Sequence, residues 1–186
     1  MKYLFNEGWS FLCMPVGTGY EEARACREKF REVDIPHDWL IYDSTRLYED
    51  GTGWYYKRFN WEEIQGCRAF LIFEGIYMDS EVYINGKKAG EWKYGYSSFN
   101  LEITEFLLTG ENEVMVSACF QSPNSRWYSG AGIYRDVWLR VTGSACIEED
   151  GVYISTVKQG EDFLLQAETA VNGMWPVCDP EQVHFI

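Results

Sequence analysis

The chain has 186 residues, of which 46% are hydrophobic and 17% aromatic, enough apolar material for the core of one β-domain and part of another. Its formal net charge is −13. A field of that sign repels the phosphates of nucleic acid and an anionic membrane surface, and no apolar stretch approaches the length of a membrane span. We therefore expect neither nucleic acid nor a membrane as a partner.

Six cysteines are scattered along the chain without any close Cys-x-x-Cys pair, which argues against zinc and against a disulfide framework. The first residues lack the long apolar run and the small-residue cleavage site of a secretory signal peptide. We interpret the cysteines as reduced, mostly buried thiols and predict a cytoplasmic location. They are Cys13, Cys26, Cys67, Cys119, Cys146 and Cys178.

The predicted elements are almost all strands. A charged helix is predicted at 20–30, and 101–108 could add a further helical turn. Asn85-Gly86, between two apolar runs, is typical of the type I′ turn of a β-hairpin. Short runs of aromatic and β-branched residues bounded by turn residues predict an all-β fold, a β-sandwich. These strands are predicted at 54–59, 69–73, 81–84, 113–120 and 136–141.

A domain boundary is predicted within 142–150, where the aromatic density falls and a Gly-Ser pair precedes an acidic run. Beyond it, 152–157 and 163–170 are predicted to pair around a turn, like the start of an immunoglobulin-like sandwich. Too few residues remain to complete such a sandwich of about 100 residues. We therefore expect a first domain at 1–145, the beginning of a second at 146–186, and a longer parent protein.

The sequence contains no complete set of catalytic residues. Its acidic pairs lie in polar surroundings typical of solvated faces, and only two histidines are present. There is no Gly-x-Ser-x-Gly nucleophile motif and no phosphate-binding loop with its lysine. We accordingly predict no catalytic residue and no metal ligand in this chain.

Three segments nevertheless combine residues of chemical interest. In 35–39, Ile-Pro-His-Asp-Trp, we favour a tight corner in which Asp38 caps amides and Trp39 packs inward, over a ligand site. Asp50 precedes a Gly-Thr-Gly turn beside aromatic residues. It could belong to a simple hairpin, or it could accept hydrogen bonds from sugar hydroxyls.

The third segment, 126–140, places aromatic and arginine side chains around a Ser-Gly-Ala-Gly turn that leads into an alternating strand. One interpretation is a sugar-binding loop carrying Arg126, Trp127 and Tyr128. The other is a packed corner in which Arg135 and Asp136 form an ion pair and Trp127 and Tyr128 belong to the core. The residues alone leave both interpretations open.

Together, and in this order, these motifs resemble the N-terminal sugar-binding domain of glycoside hydrolase family 2, with the last one closest to the β-galactosidase branch. The resemblance implies a jelly-roll sandwich at 1–145 and an immunoglobulin-like second domain beginning at 146. It also implies a separate catalytic barrel, carrying two glutamates of a retaining mechanism, that this chain lacks. The motifs are PHDW, EDGTGWYYKRF, FEGIYMDSEVYINGKKAGEWKYGYSSF, LLTGENEVMV and RWYSGAGIYRDVWL.

The resemblance further implies that this chain positions substrate and is inactive by itself. Asp50 matches a family position that touches sugar hydroxyls, and the 126–128 loop is expected to contact the terminal sugar, a β-linked galactose. At Arg126 the chain departs from members that carry an aspartate there, which affects what is recognised. No cofactor is expected in this chain. A divalent or alkali metal ion in the barrel and a homo-oligomeric parent are expectations from the family.

Overall fold

The computed structural model describes residues 1–41, 45, 49–62, 65–123 and 130–173. Backbone contacts divide the chain into two compact units. The first unit comprises Met1–Ile64 and Ala69–Val141, and the second comprises Gln65–Arg68 and Thr142–Ile186. The main division falls between Val141 and Thr142. The domain limits at 1–145 and 146–186 stay a prediction.

The described residues form fourteen strands and one short α-helix. In chain order the elements are β1 (Lys2–Leu4), β2 (Trp9–Met14), α1 (Tyr20–Ala25), β3 (Arg31–Val33), β4 (Gly51–Trp61), β5 (Arg68–Phe73), β6 (Ile76–Tyr77), β7 (Ser80–Ile84), β8 (Lys87–Trp92), β9 (Phe99–Glu102), β10 (Gly110–Phe120), β11 (Gly132–Ile133), β12 (Val137–Thr142), β13 (Ala145–Gln159) and β14 (Asp162–Gly173). Single turns of 3₁₀ helix occur at Arg27–Lys29 and Thr104–Phe106.

Two sheets make up the first unit. One has the strand order β1-β12-β5-β9, and the other has the order β3-β2-β4-β10-β7-β8. Strands distant in sequence therefore lie side by side, as in a jelly roll, and β4 and β10 pair antiparallel over their whole length. A separate two-stranded pair, β6 with β11, lies at one end of β10. The all-β jelly-roll sandwich predicted for this region is confirmed.

The main core is drawn from both sheets, as the period of two along each strand requires. On β10, Val114, Val116 and Ala118 are fully buried in this core. Leu71 and Phe73 of β5 enter it from the opposite sheet. The alternation of apolar and polar residues along the chain predicted these strands. It places the apolar side chains of the two sheets in one layer between them.

The outer face of the six-stranded sheet is covered by α1. Tyr20 at its first position stacks on Tyr83 of β7 with ring centroids 4.4 Å apart, and Ala23 is fully buried. Both belong to a second apolar cluster that includes Trp54 and Met115. The helix is shorter than the predicted 20–30 span, because it ends at Ala25 and is followed by a 3₁₀ turn.

The hairpin predicted at Asn85-Gly86 is confirmed. Asn85 and Gly86 have φ values of 49° and 84°, the positive pair that a type I′ turn requires. The hairpin joins β7 to β8, and the Asn85 side chain donates to the Phe106 carbonyl oxygen at 2.8 Å. The Asn85 backbone therefore forms the turn, and the Asn85 side chain attaches the turn to the segment that contains Phe106.

Beyond the first unit, β13 and β14 form a long antiparallel hairpin with a register shift between Ile147 and Val152. Its turn lies at Gly160, between the two predicted strands. Many of its apolar side chains are exposed, Tyr153 and Phe163 among them. The two predicted strands are confirmed. In the described part of the chain, no helix is both long enough and apolar enough to span a membrane.

Candidate functional site

Two long strands meet at one end of the sandwich, where β4 begins and β10 ends. Gly51 pairs with Phe120 there, so Asp50 lies beside the chain that leaves β10. Oδ1 of Asp50 accepts the backbone N–H of Ser122 at 2.6 Å. The Asp50 side chain is exposed, and a carboxylate can accept several hydrogen bonds at once. It can therefore hold Ser122 and still present an oxygen to a ligand hydroxyl.

The segment that contains His37, Asp38 and Trp39 runs alongside β11. The His37 N–H donates to the Ile133 carbonyl oxygen at 2.7 Å, and the Trp39 N–H donates to the Ala131 carbonyl oxygen at 3.2 Å. These two bonds form a short antiparallel bridge between parts of the chain far apart in sequence. They bring Asp38 against the backbone that follows residue 129.

Asp38 caps two backbone amides, one local and one distant. Its Oδ1 accepts the N–H of Leu40 at 3.0 Å and the N–H of Ala131 at 3.1 Å. A Cβ on Gly130 would lie only 2.6 Å from Oδ2, so the carboxylate sits directly against the Gly130 backbone. The prediction that Asp38 caps amides in a tight corner is confirmed.

Trp39 packs into the corner as predicted. Its ring stacks on Phe11, with centroids 5.4 Å apart and an interplanar angle of 27°. Gly53 allows the approach, because a Cβ there would lie 2.4 Å from the indole ring. The indole Nε1 is buried and has no acceptor in the part of the chain that the structure describes. Trp39 thus forms one wall of the corner.

His37 is buried and its Nδ1 lies 2.8 Å from Oη of Tyr55. The same hydroxyl accepts the Ile133 N–H at 3.3 Å, so it connects the corner to β11. Burial lowers the pKa of His37, and the neighbouring Asp38 carboxylate opposes that shift more weakly. The imidazole is therefore neutral near pH 7 and serves as a structural bridge.

We expect acid to destabilise the protein through His37. Its pKa is lowered in the folded state from an ordinary value of 6.5. The unfolded chain thus takes up the proton first, and stability should fall as the pH drops below about 6.5. Urea midpoints measured from about pH 7.5 to about pH 5 should fall less steeply for His37→Asn, which keeps a donor near Tyr55 but does not titrate in this range.

Parallel profiles for wild type and His37→Asn would contradict the assigned direction of the shift.

In the described part of the third segment, residues 130–140, Arg135 and Asp136 each have a partner other than the one hypothesised. The Arg135 guanidinium lies over the Tyr134 ring, 5.6 Å from its centroid. The Asp136 carboxylate accepts a hydrogen bond from the Asn6 amide at 2.8 Å. The predicted ion pair between Arg135 and Asp136 is therefore wrong, since each side chain has another partner. The predicted alternation is confirmed, because Val137 is buried in the core while Trp138 donates to Glu74 at 2.8 Å.

Of the predicted sugar contacts, only Asp50 lies in the described structure. Arg126, Trp127 and Tyr128 lie outside the described residues. The structure does bring Asp38 and Asp50 to the two backbone stretches that flank 124–129. The sequence did not single out Tyr55 or Phe11, which complete the corner, because Tyr55 lies in a predicted strand of alternating residues and no element was predicted at Phe11.

No group of three or more His, Cys, Asp or Glu side chains within the described ranges is arranged to hold a metal ion. The described residues here offer an exposed carboxylate at Asp50, a carboxylate at Asp38 that caps two amides, and the stacked rings of Phe11 and Trp39. Such a set can bind and orient a hydroxylated molecule, since oxygens accept hydroxyl hydrogens and rings pack against apolar faces.

Known proteins are similar to this chain in sequence and in fold. The beta-galactosidase BoGH2A of Bacteroides ovatus is 38% identical over 185 residues, covering 90% of this chain and 21% of that protein. A beta-glucuronidase of Bacteroides fragilis is 36% identical over 169 residues, covering 81% of this chain and 23% of that protein. The chain thus spans less than a quarter of the length of these curated relatives.

Among solved structures, a glycosyl hydrolase family 2 member from Bacteroides cellulosilyticus superimposes with a TM-score of 0.80 at 29% identity. The superposition covers 91% of this chain and 25% of that structure. The family model for the sugar binding domain of glycosyl hydrolases family 2 matches residues 20–142. This range includes β4, β10, β11 and the segment that contains Asp38. The chain therefore belongs to glycosyl hydrolase family 2, as its sugar-binding domain.

Proposed function

We propose that this chain is the non-catalytic, substrate-positioning N-terminal domain of a retaining exo-β-glycosidase, and that the full-length protein is a β-galactosidase. Family membership supports a glycoside as ligand, and the similarity to the Bacteroides ovatus beta-galactosidase supports a galactoside. The catalytic carboxylates would come from a barrel outside these residues. By itself the chain is expected to be inactive.

The observation that carries the proposal is the geometry of Asp50. Its carboxylate lies at the exposed end of β4, held at Oδ1 by the Ser122 N–H. A carboxylate that is held by one donor on an exposed residue is suited to accept a hydrogen bond from a sugar hydroxyl. Arg126, Trp127 and Tyr128 complete the proposed subsite, since Ser122 lies only a few residues before them in sequence.

The role expected of this subsite is to fix the non-reducing sugar while the barrel performs hydrolysis. Holding a substrate in a reactive geometry lowers the activation barrier of the reaction, because the entropy of bringing the reacting groups together is lost on binding and not in the chemical step. Loss of a contact to the bound sugar should therefore appear in kcat/KM, while unfolding stability changes little.

The test is steady-state hydrolysis of an aryl β-galactoside by the full-length protein. Loss of a hydrogen bond to a charged group costs about 1.5–3 kcal/mol, so Asp50→Ala should lower kcat/KM by about 10- to 100-fold. Asp50→Asn keeps an acceptor for the Ser122 N–H and loses the charge, so it should fall between Asp50→Ala and wild type.

Asp162→Ala, a change at an exposed aspartate of the β13–β14 hairpin, is the control and should be neutral. Turnover by the 186-residue chain alone would contradict the non-catalytic role. Unchanged kinetics for both Asp50 variants would instead favour a purely structural interface domain or, if the isolated chain binds sugar, a free-standing carbohydrate-binding module.

A β-glucuronide is the second candidate substrate. The beta-glucuronidase of Bacteroides fragilis is nearly as similar as the beta-galactosidase relative. Parallel assays with aryl β-galactoside and aryl β-glucuronide separate the two, and a preference of ten-fold or more for the glucuronide would replace the galactoside in the proposal. An aryl β-mannoside assay covers the remaining family activity.

Three further features belong to the proposal. The scattered cysteines favour a reducing, cytoplasmic compartment. The parent is expected to be a homo-oligomer, and to bind a divalent or alkali metal ion in its barrel and not in this domain.

A further inference from the structure

Tyrosine side chains cluster at the turn that joins β8 to β9. Tyr94 and Tyr96 belong to this turn and are 61% and 49% exposed, whereas Tyr77, at the end of β6, is buried. The ring of Tyr96 meets the rings of Tyr77 and Tyr94 edge to face, with centroids 5.1 Å and 5.7 Å apart. Two exposed aromatic rings therefore lie side by side on a buried third ring. We call Tyr94 and Tyr96 the tyrosine platform.

The turn that carries the platform is attached to the rest of the first unit. The Tyr134 hydroxyl donates to the Gly95 carbonyl oxygen at 2.8 Å. Gly95 also packs closely on Tyr77, since a Cβ there would lie 2.4 Å from that ring. The Asp79 N–H donates to the Lys93 carbonyl oxygen at 3.3 Å, and the two side chains form an ion pair at 2.9 Å. An anchored backbone lowers the entropy cost of binding a ligand on the exposed rings.

The platform lies at the same end of the sandwich as Asp50. Near the end of β10, Cys119 pairs with Thr52 of β4, two residues after Asp50. On its other side, Cys119 exchanges two backbone hydrogen bonds with Met78, at 2.7 Å and 3.3 Å. Neighbouring strands lie about 4.8 Å apart, so the backbones at Thr52 and Met78 are about 10 Å apart. Asp50 and the platform are therefore close together, but farther apart than one sugar ring extends.

The size and border of the platform favour a small ligand over a protein. Two tyrosine side chains offer about 300–500 Å² of contact area at most, whereas each partner in a stable protein interface buries about 800 Å². The border is charged, because the Lys93 and Asp79 side chains are 72% and 48% exposed. A sugar ring fits such a surface, since its apolar face packs on aromatic rings and its hydroxyls bond to charged groups.

We propose that Tyr94 and Tyr96 bind a second sugar ring of the substrate, beside the ring whose hydroxyls Asp50 is proposed to contact. The substrate class is then a β-linked oligosaccharide of two or more rings, and not a sugar joined to a small alcohol. Tyr77 supports the two rings without touching the ligand. The assignment of this ligand to the substrate rests on the proposed function, whereas sugar binding by the platform is tested separately.

The kinetic test uses the full-length protein and two galactosides. Lactose has glucose as its second ring, and methyl β-galactoside has no second ring. Tyr94→Ala should lower the ratio of kcat/KM for lactose to kcat/KM for methyl β-galactoside by about ten-fold, because stacking on the second ring is lost. Tyr94→Phe keeps the ring and should hold this ratio within about two-fold of wild type.

The matched control is Tyr3→Ala. Tyr3 is 49% exposed, like Tyr96, but it lies on β1 at the edge of the four-stranded sheet. Its loss should leave the ratio at the wild-type value. Equal ratios for Tyr94→Ala and Tyr3→Ala would overturn the proposal. A loss in Tyr94→Phe as large as in Tyr94→Ala would also overturn it, since ring stacking would not be the interaction.

A second readout does not need activity. Tetranitromethane nitrates accessible tyrosines, and mass spectrometry of the full-length protein measures the rate at each one. Tyr94 should react about as fast as Tyr3, because both side chains are exposed. The thio-linked analogue of lactose, which resists hydrolysis, should slow nitration of Tyr94 several-fold and leave Tyr3 unaffected. A Tyr94 that is unreactive without the analogue would show that other parts of the protein cover the platform, and would overturn the proposal.

The two readouts separate this proposal from the proposed function. Protection of Tyr94 by the analogue, in a full-length protein that hydrolyses no aryl glycoside, would support the platform and contradict the proposed function. Hydrolysis of both galactosides with an unchanged ratio in Tyr94→Ala, and no protection of Tyr94, would support the proposed function and overturn the platform.

Discussion

Replacing Gly132 with alanine should destabilise the first unit by about 4 kcal/mol, the sum of an overpacking cost of about 1–3 kcal/mol and a backbone strain of similar size. A Cβ at this position would lie 2.2 Å from Oη of Tyr55 and 2.6 Å from the His37 carbonyl oxygen. Both neighbours are buried, and the φ of +121° is one that only glycine adopts readily. The main chain of β11 must therefore move, and the His37 bridge must break.

The measurement is the urea midpoint followed by tryptophan fluorescence. Gly143→Ala is the matched control, because a Cβ there would meet nothing closer than 3.9 Å. It should leave the midpoint within about 0.5 kcal/mol of wild type, as surface substitutions usually do. A Gly132→Ala midpoint equal to that of Gly143→Ala would contradict the close approach of β11 to Tyr55.

The second large effect is expected for Trp9→Ala, which should cost about 3–5 kcal/mol as a large-to-small change in a packed core. Trp9 is 1% exposed and its Nε1 donates to the Phe5 carbonyl oxygen at 2.8 Å. Its ring meets Phe5 and Tyr55 edge to face, at 6.1 Å and 6.5 Å. The substitution therefore opens a cavity, removes a hydrogen bond and releases the first strands from the core.

Trp92→Ala provides the comparison with an exposed tryptophan. Trp92 is 38% exposed and stacks on Phe99 at 5.4 Å, so its loss should cost about 1 kcal/mol. Chemical denaturation of both variants measures the difference in their free energies of unfolding. Equal losses would mean that Trp9 does not occupy the core.

Much of the fold was predictable because local patterns agreed with the tertiary structure. Alternation along 113–120 predicted β10, and the observed strand, Gly110–Phe120, buries the predicted apolar residues. The Asn85-Gly86 turn follows from backbone sterics alone. Strands with weaker patterns were missed, including β2 and the two-residue strands β6 and β11. These depend on pairing with distant segments for their definition.

The candidate site was less accessible from sequence. The sequence singled out Asp50 and predicted a tight corner around Asp38. The residues next to each of them in sequence do not show which backbone amides they bind. Asp38 and Ala131 are 93 positions apart, and Asp50 and Ser122 are 72 positions apart. Contacts of that separation depend on the strand order of the whole sandwich. The hypothesised pairing of Arg135 with Asp136 failed for the same reason, since Asn6 arrives from the other end of the unit.

Residue type, periodicity and motif order were enough to predict the β-class, the hairpin turn, the acidic surface and membership of a glycoside hydrolase family. The binding of the Asp38 and Asp50 carboxylates to the two backbone stretches that flank 124–129 becomes visible only in the folded chain. A hydrogen bond forms between atoms that folding brings within about 3 Å, whatever their separation along the chain.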